Sequence, residues 1–254
     1  MMDLLLVAFI IVYLLKFVRS DRNRERRKQK KKIKINVEKV IEFQKGNRII
    51  GDFVLTEAAM PIPGNTVQPK EGFRIDEWES DEQDGLKRLR AAVSAEHIFD
   101  LFTAMIIWLN DAVSLSIVQT DYEEGKIYYY FAYDKDVPVL LSIFSNYRWM
   151  IQNNGEVIFT FATESKEVEC QLDDTKIFTF YAWNLQPVID FLAKFGIKED
   201  KKMIFFPERG YITFSSTEYS EQLAKLVQDL NIDETRVIEM EKEEESSGKS
   251  GPKK

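Results

Sequence analysis

The side chains able to do chemistry in this chain are few in kind. One His, His97, and one Cys, Cys170, stand against 42 Asp and Glu. That count excludes a two-histidine metal site, a histidine pair and an internal disulfide. Cys170 lies in VECQL at residues 168–172, where alternation turns its thiol inward with Val168 and Leu172. Glu167, Glu169 and Asp173 surround it in sequence and oppose a thiolate, so it reads as a structural cysteine. His97 stands four residues from both Val93 and Leu101, which predicts a hydrogen-bonded histidine on or near a buried helical stripe. Gly248, Lys249 and Ser250 resemble the end of a phosphate-binding loop, but Glu243 stands where its first glycine belongs and no strand precedes it. Paired carboxylates could do acid–base work without histidine, yet such pairs are defined by geometry rather than by spacing. No catalytic residue, metal ligand or cofactor is therefore assigned.

Binding chemistry is better represented. In the strand-like run at residues 127–133, Tyr128 and Tyr130 share one face while Ile127, Tyr129, Phe131 and Tyr133 share the other. Tyrosine joins an apolar ring to a hydroxyl, which suits a protein-binding surface. Tyr128, Tyr130 and Trp183 are candidate partner-binding residues on that ground. So are Asp76, Glu77 and Trp78, which open the segment DEWESDEQD at residues 76–84, with six carboxylates in nine residues. This segment lacks the ligand frame of an EF-hand and reads as a solvated acidic loop ending in a helix cap at Asp84.

The elements that must position these residues are legible as patterns. Residues 35–57 predict an N-terminal hairpin, residues 58–84 a Pro/Gly-rich and then acidic loop, and residues 85–232 the main domain. Within it, apolar residues from Leu86 to Leu109 recur at three- and four-residue steps and predict one long core helix. A hairpin at 113–133, a helix at 137–151 begun by Pro138, three strands between 156 and 183, a helix at 185–195, a hairpin over 203–215 and a last helix at 217–230 follow. Residues 126–141 and 176–190 resemble each other after a single-residue gap, as repeated strand-to-helix units. The expected fold is α+β: an antiparallel sheet built from β-β-α-type units with helices packed on it, preceded by one N-terminal transmembrane helix. Residues 233–254, acidic and then Ser/Gly/Lys-rich, predict a disordered tail.

The first 18 residues predict that anchor. Leu4, Leu5, Leu6, Val7, Phe9, Ile10, Ile11, Val12, Leu14 and Leu15 form an apolar run near the minimum length for a short spanning helix. Without a basic start or a small-residue cleavage site, it reads as a retained anchor rather than a cleaved signal. Residues 16–34 hold eleven Lys and Arg against two acidic residues, whereas residues 1–15 hold no Lys or Arg. The positive-inside rule then places the N-terminus outside and the bulk of the chain in the cytoplasm. Within the juxtamembrane linker at 19–34, Arg24, Arg26, Arg27, Lys28, Lys30, Lys31 and Lys32 are candidate contacts to anionic lipid. Residues 35–254 are acidic, with 24 Lys and Arg against 39 Asp and Glu. That balance disfavours nucleic acid as a partner. The expected function is a single-pass, membrane-anchored adaptor or regulator whose cytoplasmic domain binds an unidentified protein. The alternatives are a tethered hydrolase or transferase using carboxylates, and a structural subunit of a membrane assembly.

Overall fold

The structure is a computed structural model that describes residues 48–76, 85–110, 112–163 and 167–240. Strands β1 (Ile49–Ile50) and β2 (Phe53–Val54) form a small hairpin, with Gly51 in the left-handed region at φ 63°. After β3 (Ala59–Pro61), β4 (Gly72–Asp76) and β5 (Lys87–Ala92) comes the longest described helix, α1 (Ala95–Leu109), which ends on Asn110 at φ 58°. Strands β6 (Val113–Asp121) and β7 (Lys126–Lys135) form a long hairpin, followed by α2 (Val137–Ser145) and α3 (Arg148–Asn153). Next come the meander β8 (Val157–Thr163), β9 (Val168–Leu172) and β10 (Phe178–Ala182), then α4 (Gln186–Ala193). A 3-10 turn (Phe206–Arg209), β11 (Tyr211–Thr213), α5 (Thr217–Asp229) and β12 (Glu234–Glu239) complete the described chain.

Eight strands make one antiparallel sheet in the order β12-β7-β6-β8-β9-β10-β5-β4, and β3 pairs with β11 in a separate ribbon. Alternation explains the sheet's two faces. Leu115 and Ile117 of β6, Phe159 and Phe161 of β8, Cys170 and Leu172 of β9, and Phe178 and Phe180 of β10 join one core with the apolar sides of all five helices. At its centre, the ring of Phe102 on α1 meets Phe144, Phe159 and Phe161 edge-on, with centroids 5.3, 5.6 and 5.4 Å away. The register puts Glu234, Phe131, Ser116, Thr160, Gln171, Thr179, Arg90 and Arg74 in one row across the opposite face. A second apolar cluster, with Phe53, Leu55, Ala92, Ile177, Met203 and Phe205, closes one end of the sheet.

This architecture corrects the expected fold class. Strand outweighs helix in the described chain, and the sheet is a single eight-stranded antiparallel layer rather than a series of β-β-α units. Residues 87–92, expected to begin the long helix, are β5. The run LKRLRAAV satisfies both periods, and strand pairing prevails because it sends Leu89 and Ala91 to the core and Arg88 and Arg90 to carboxylates on the other side. Strands β3 and β4 lie within the expected loop at 58–84, and β12 lies within the expected tail. The expected hairpin over 203–215 is instead a 3-10 turn and a strand paired with β3. The expected helix at 137–151 is broken into α2 and α3. Among the described residues no helix is long and apolar enough to cross a membrane. The expected anchor at 1–18, the basic linker, residues 35–47 and Gly248–Ser250 lie outside the described residues.

Candidate functional site

The densest polar cluster arises from the pairing of β4 with β5, which sets Arg74 opposite Arg90 and Asp76 opposite Arg88. All four side chains leave the face away from the helices. Asp76 accepts hydrogen bonds from the Nε atoms of Arg74, Arg88 and Arg90 at 2.8, 2.9 and 2.6 Å. Glu208, on the 3-10 turn, accepts from Arg74 Nη2 at 2.6 Å and also from Arg90. The Phe205 ring packs under the guanidinium carbons of Arg74 and Arg90 at 5.2 and 4.7 Å. Burial works to raise the Asp76 carboxyl, but hydrogen bonds and charge from Arg90, with Arg88 and Arg74, outweigh it and hold the pKa below the usual carboxylate range. Asp76 is therefore an ionised clamp within the fold, its side chain 6 % exposed. The cluster fastens residues 203–209 to the sheet.

Of the other candidate partner residues, Trp183 is exposed just beyond β10. Its ring lies beside Gly85, where the chain returns from the acidic segment, so Trp183 and Asp76 share one end of the sheet. Glu77 and Trp78 lie outside the described residues. Tyr128 and Tyr130 sit apart from that end, on the second strand from the opposite edge, with ring centroids 6.3 Å apart. Tyr128 donates its hydroxyl proton to Glu124 at 2.8 Å, and Tyr130 packs against the main core. On the other face of β7, Tyr129, Phe131 and Tyr133 form a parallel ladder, and Arg236 of β12 lies over Phe131 at 5.3 Å.

The lone thiol and imidazole resolve differently. Cys170 is buried in the core with Val168 and Leu172, as alternation predicts. His97 is exposed rather than on the buried stripe, because β5 turns into α1 two residues earlier and leaves this position on the solvent side. Its Nδ1 meets Glu71 Oε1 at 2.7 Å, and that hydrogen bond raises the imidazole pKa.

Two groups with displaced titration escape sequence reasoning. Glu169 is buried on the sheet face away from the helices, and desolvation pushes its carboxyl up to about 8. Lys176 is buried in the β9–β10 turn, and desolvation pulls its amine down to about 8. The alternation that predicts Cys170 inward also predicts Glu169 on the other face, but nothing in the string marks that face as buried. A small pocket, with interior room for about one water molecule, adjoins the Lys176 turn. Among the described residues no group of three or more His, Cys, Asp or Glu side chains is arranged to hold a metal ion. Comparison with protein-family models, with curated proteins and with solved structures finds no match to this chain.

Proposed function

We propose that the chain is a single-pass membrane protein, N-terminus outside, whose acidic domain binds a protein partner at the cytoplasmic surface as an adaptor or regulator. The apolar run at 1–18 and the basic run behind it support the tether and its orientation. The observation that carries the binding half is Trp183, 47 % exposed at the sheet end where the acidic segment leaves Asp76 and returns to Gly85. An exposed indole beside Gly85, the residue that follows the acidic run in sequence, offers an anchor for a partner with an apolar pocket rimmed by Lys and Arg. The alternative of carboxylate catalysis draws less support. Glu156 and Glu169, whose pKa values burial raises, stand at opposite ends of β8 and neither lines the pocket.

The test is to purify the full-length chain from its own membranes in mild detergent beside Trp183→Glu and beside a form beginning at Ile35. The reading expects a stoichiometric companion that stays with both wild-type forms and is lost from Trp183→Glu at unchanged melting temperature. Recovery of both wild-type forms alone, as monomers, refutes it.

A further inference from the structure

The two edges of the eight-stranded sheet are finished differently. At β4, the Phe73 amide donates to the Lys198 carbonyl at 2.9 Å and the Phe73 carbonyl accepts from the Asp200 amide at 2.8 Å, so the chain covers that edge itself. At β12, the Met240 amide donates to the Gly125 carbonyl at 2.7 Å. Continued along the register with β7, this bond turns the backbone groups of Glu234, Arg236 and Ile238 towards β7 and those of Thr235, Val237 and Glu239 outward. All three outward residues are exposed, Val237 at 51 %, and among the described residues no strand pairs with them on that side. The strand has neither the Pro nor the bulge that commonly blunts such an edge.

We infer that β12 pairs with β12 of a second copy of this chain, antiparallel about a two-fold axis at Val237, and so joins two sheets into one. The ground for a second copy, rather than another extended segment, is that residues 234–240 are self-complementary. About that axis Val237 meets the partner's Val237, Thr235 meets the partner's Glu239, Arg236 meets the partner's Ile238 and Glu234 meets the partner's Met240. All seven positions are matched, and no like charges stand directly opposite. Each Arg236 keeps its own Glu234 as counter-charge. An axis at Arg236 would instead set two guanidiniums face to face. The inference does not depend on the adaptor reading.

Oxidative cross-linking of the full-length chain in its own membranes tests the register. A hydrogen-bonded antiparallel pair sets Cα atoms about 5.5 Å apart, within disulfide reach, and Cys170 is buried away from the edge. Val237→Cys should therefore give a covalent dimer. Thr235→Cys and Glu239→Cys should each give at least about tenfold less, and the double variant should restore it, because these two positions face each other across the pair. Val237→Asp and Val237→Lys change an exposed side chain and should leave the melting temperature unchanged. Each should lose association between differently tagged copies in mild detergent, and mixing the two variants should recover it. A Val237→Cys chain that cross-links to another protein or to none, equal cross-linking by Glu239→Cys alone, or a dimer that survives in Val237→Asp overturns the inference.

Discussion

Glu169 and Lys176 titrate in the same range from opposite directions, and the sign of each effect on stability follows from linkage. The Glu169 carboxyl, raised from 4.5 to about 8 by burial, keeps its proton in the fold and loses it in the unfolded chain. Stability therefore falls as pH rises from about 4.5 to about 8, by at most ~1.4 kcal/mol per pH unit. The Lys176 amine, lowered from 10.5 to about 8, gives the opposite slope. Its penalty is fully present below pH ~8 and is relieved as pH rises towards the unfolded value. Urea denaturation across pH 5–10 should show Glu169→Gln flattening the acid-side slope and Lys176→Met flattening the alkaline-side one, the latter also raising stability at pH 7. His97 is the third titrating site. Its hydrogen bond to Glu71 raises the imidazole pKa, so the pair contributes stability below the unfolded value that is lost as pH rises through the folded one. The site is exposed, so the contribution is a few tenths of a kcal/mol. NMR titration of His97 should show its pKa falling in Glu71→Gln.

At the scale of elements, the turn between α3 and β8 is where three distant segments are tied together. Gly155 donates its amide to the Phe214 carbonyl at 2.7 Å, and Phe214 donates to Ala58 at 2.8 Å. A Cβ on Gly155 would stand 2.0 Å from the Ala58 carbonyl oxygen and 2.7 Å from that of Phe214, all of it backbone. No side-chain rotation relieves such a clash, so Gly155→Ala should cost about 2 kcal/mol or more in urea denaturation and loosen the β3–β11 ribbon. Hydrogen exchange at Ile212 and Phe214 would register that loosening. No sequence pattern marks this junction, since a glycine after Asn153 and Asn154 reads only as a turn. Elsewhere local signals were sufficient. Ser216 accepts the Tyr219 amide at the start of α5, and Pro187 and Gly196 bracket α4 as their backbone preferences predict. The misread elements are those whose identity is decided by a distant partner. β4 exists because Phe73 and Ile75 pair with Ala91 and Leu89, and β12 because Thr235 and Val237 pair with Tyr130 and Tyr128. Likewise the arginine cluster joins residues 74–90 to residue 208, a distance in sequence over which spacing carries no information.

For the whole molecule, the decisive feature is how charge is divided along the chain. Eleven basic residues lie between positions 16 and 34, while residues 35–254 hold 39 acidic against 24 basic ones. Each Lys or Arg close to an anionic leaflet contributes on the order of 1 kcal/mol, attenuated beyond a Debye length of ~8 Å at physiological salt. The same surface repels the acidic domain, so the proposed linker and domain respond to lipid charge with opposite sign. Flotation with phosphatidylserine vesicles separates the two contributions. A form beginning at Arg19, which keeps the basic run but not the apolar segment, should float at low salt and be released at ~0.5 M salt, as screening shortens the interaction range. Replacing Arg24, Arg26, Arg27, Lys28, Lys30, Lys31 and Lys32 by Gln should abolish flotation without changing the melting temperature. A form beginning at Ile35 should stay in solution with anionic and with neutral vesicles alike. If that last form floats on anionic vesicles, the acidic domain itself carries a lipid-binding surface, and the opposite response of linker and domain to lipid charge is overturned.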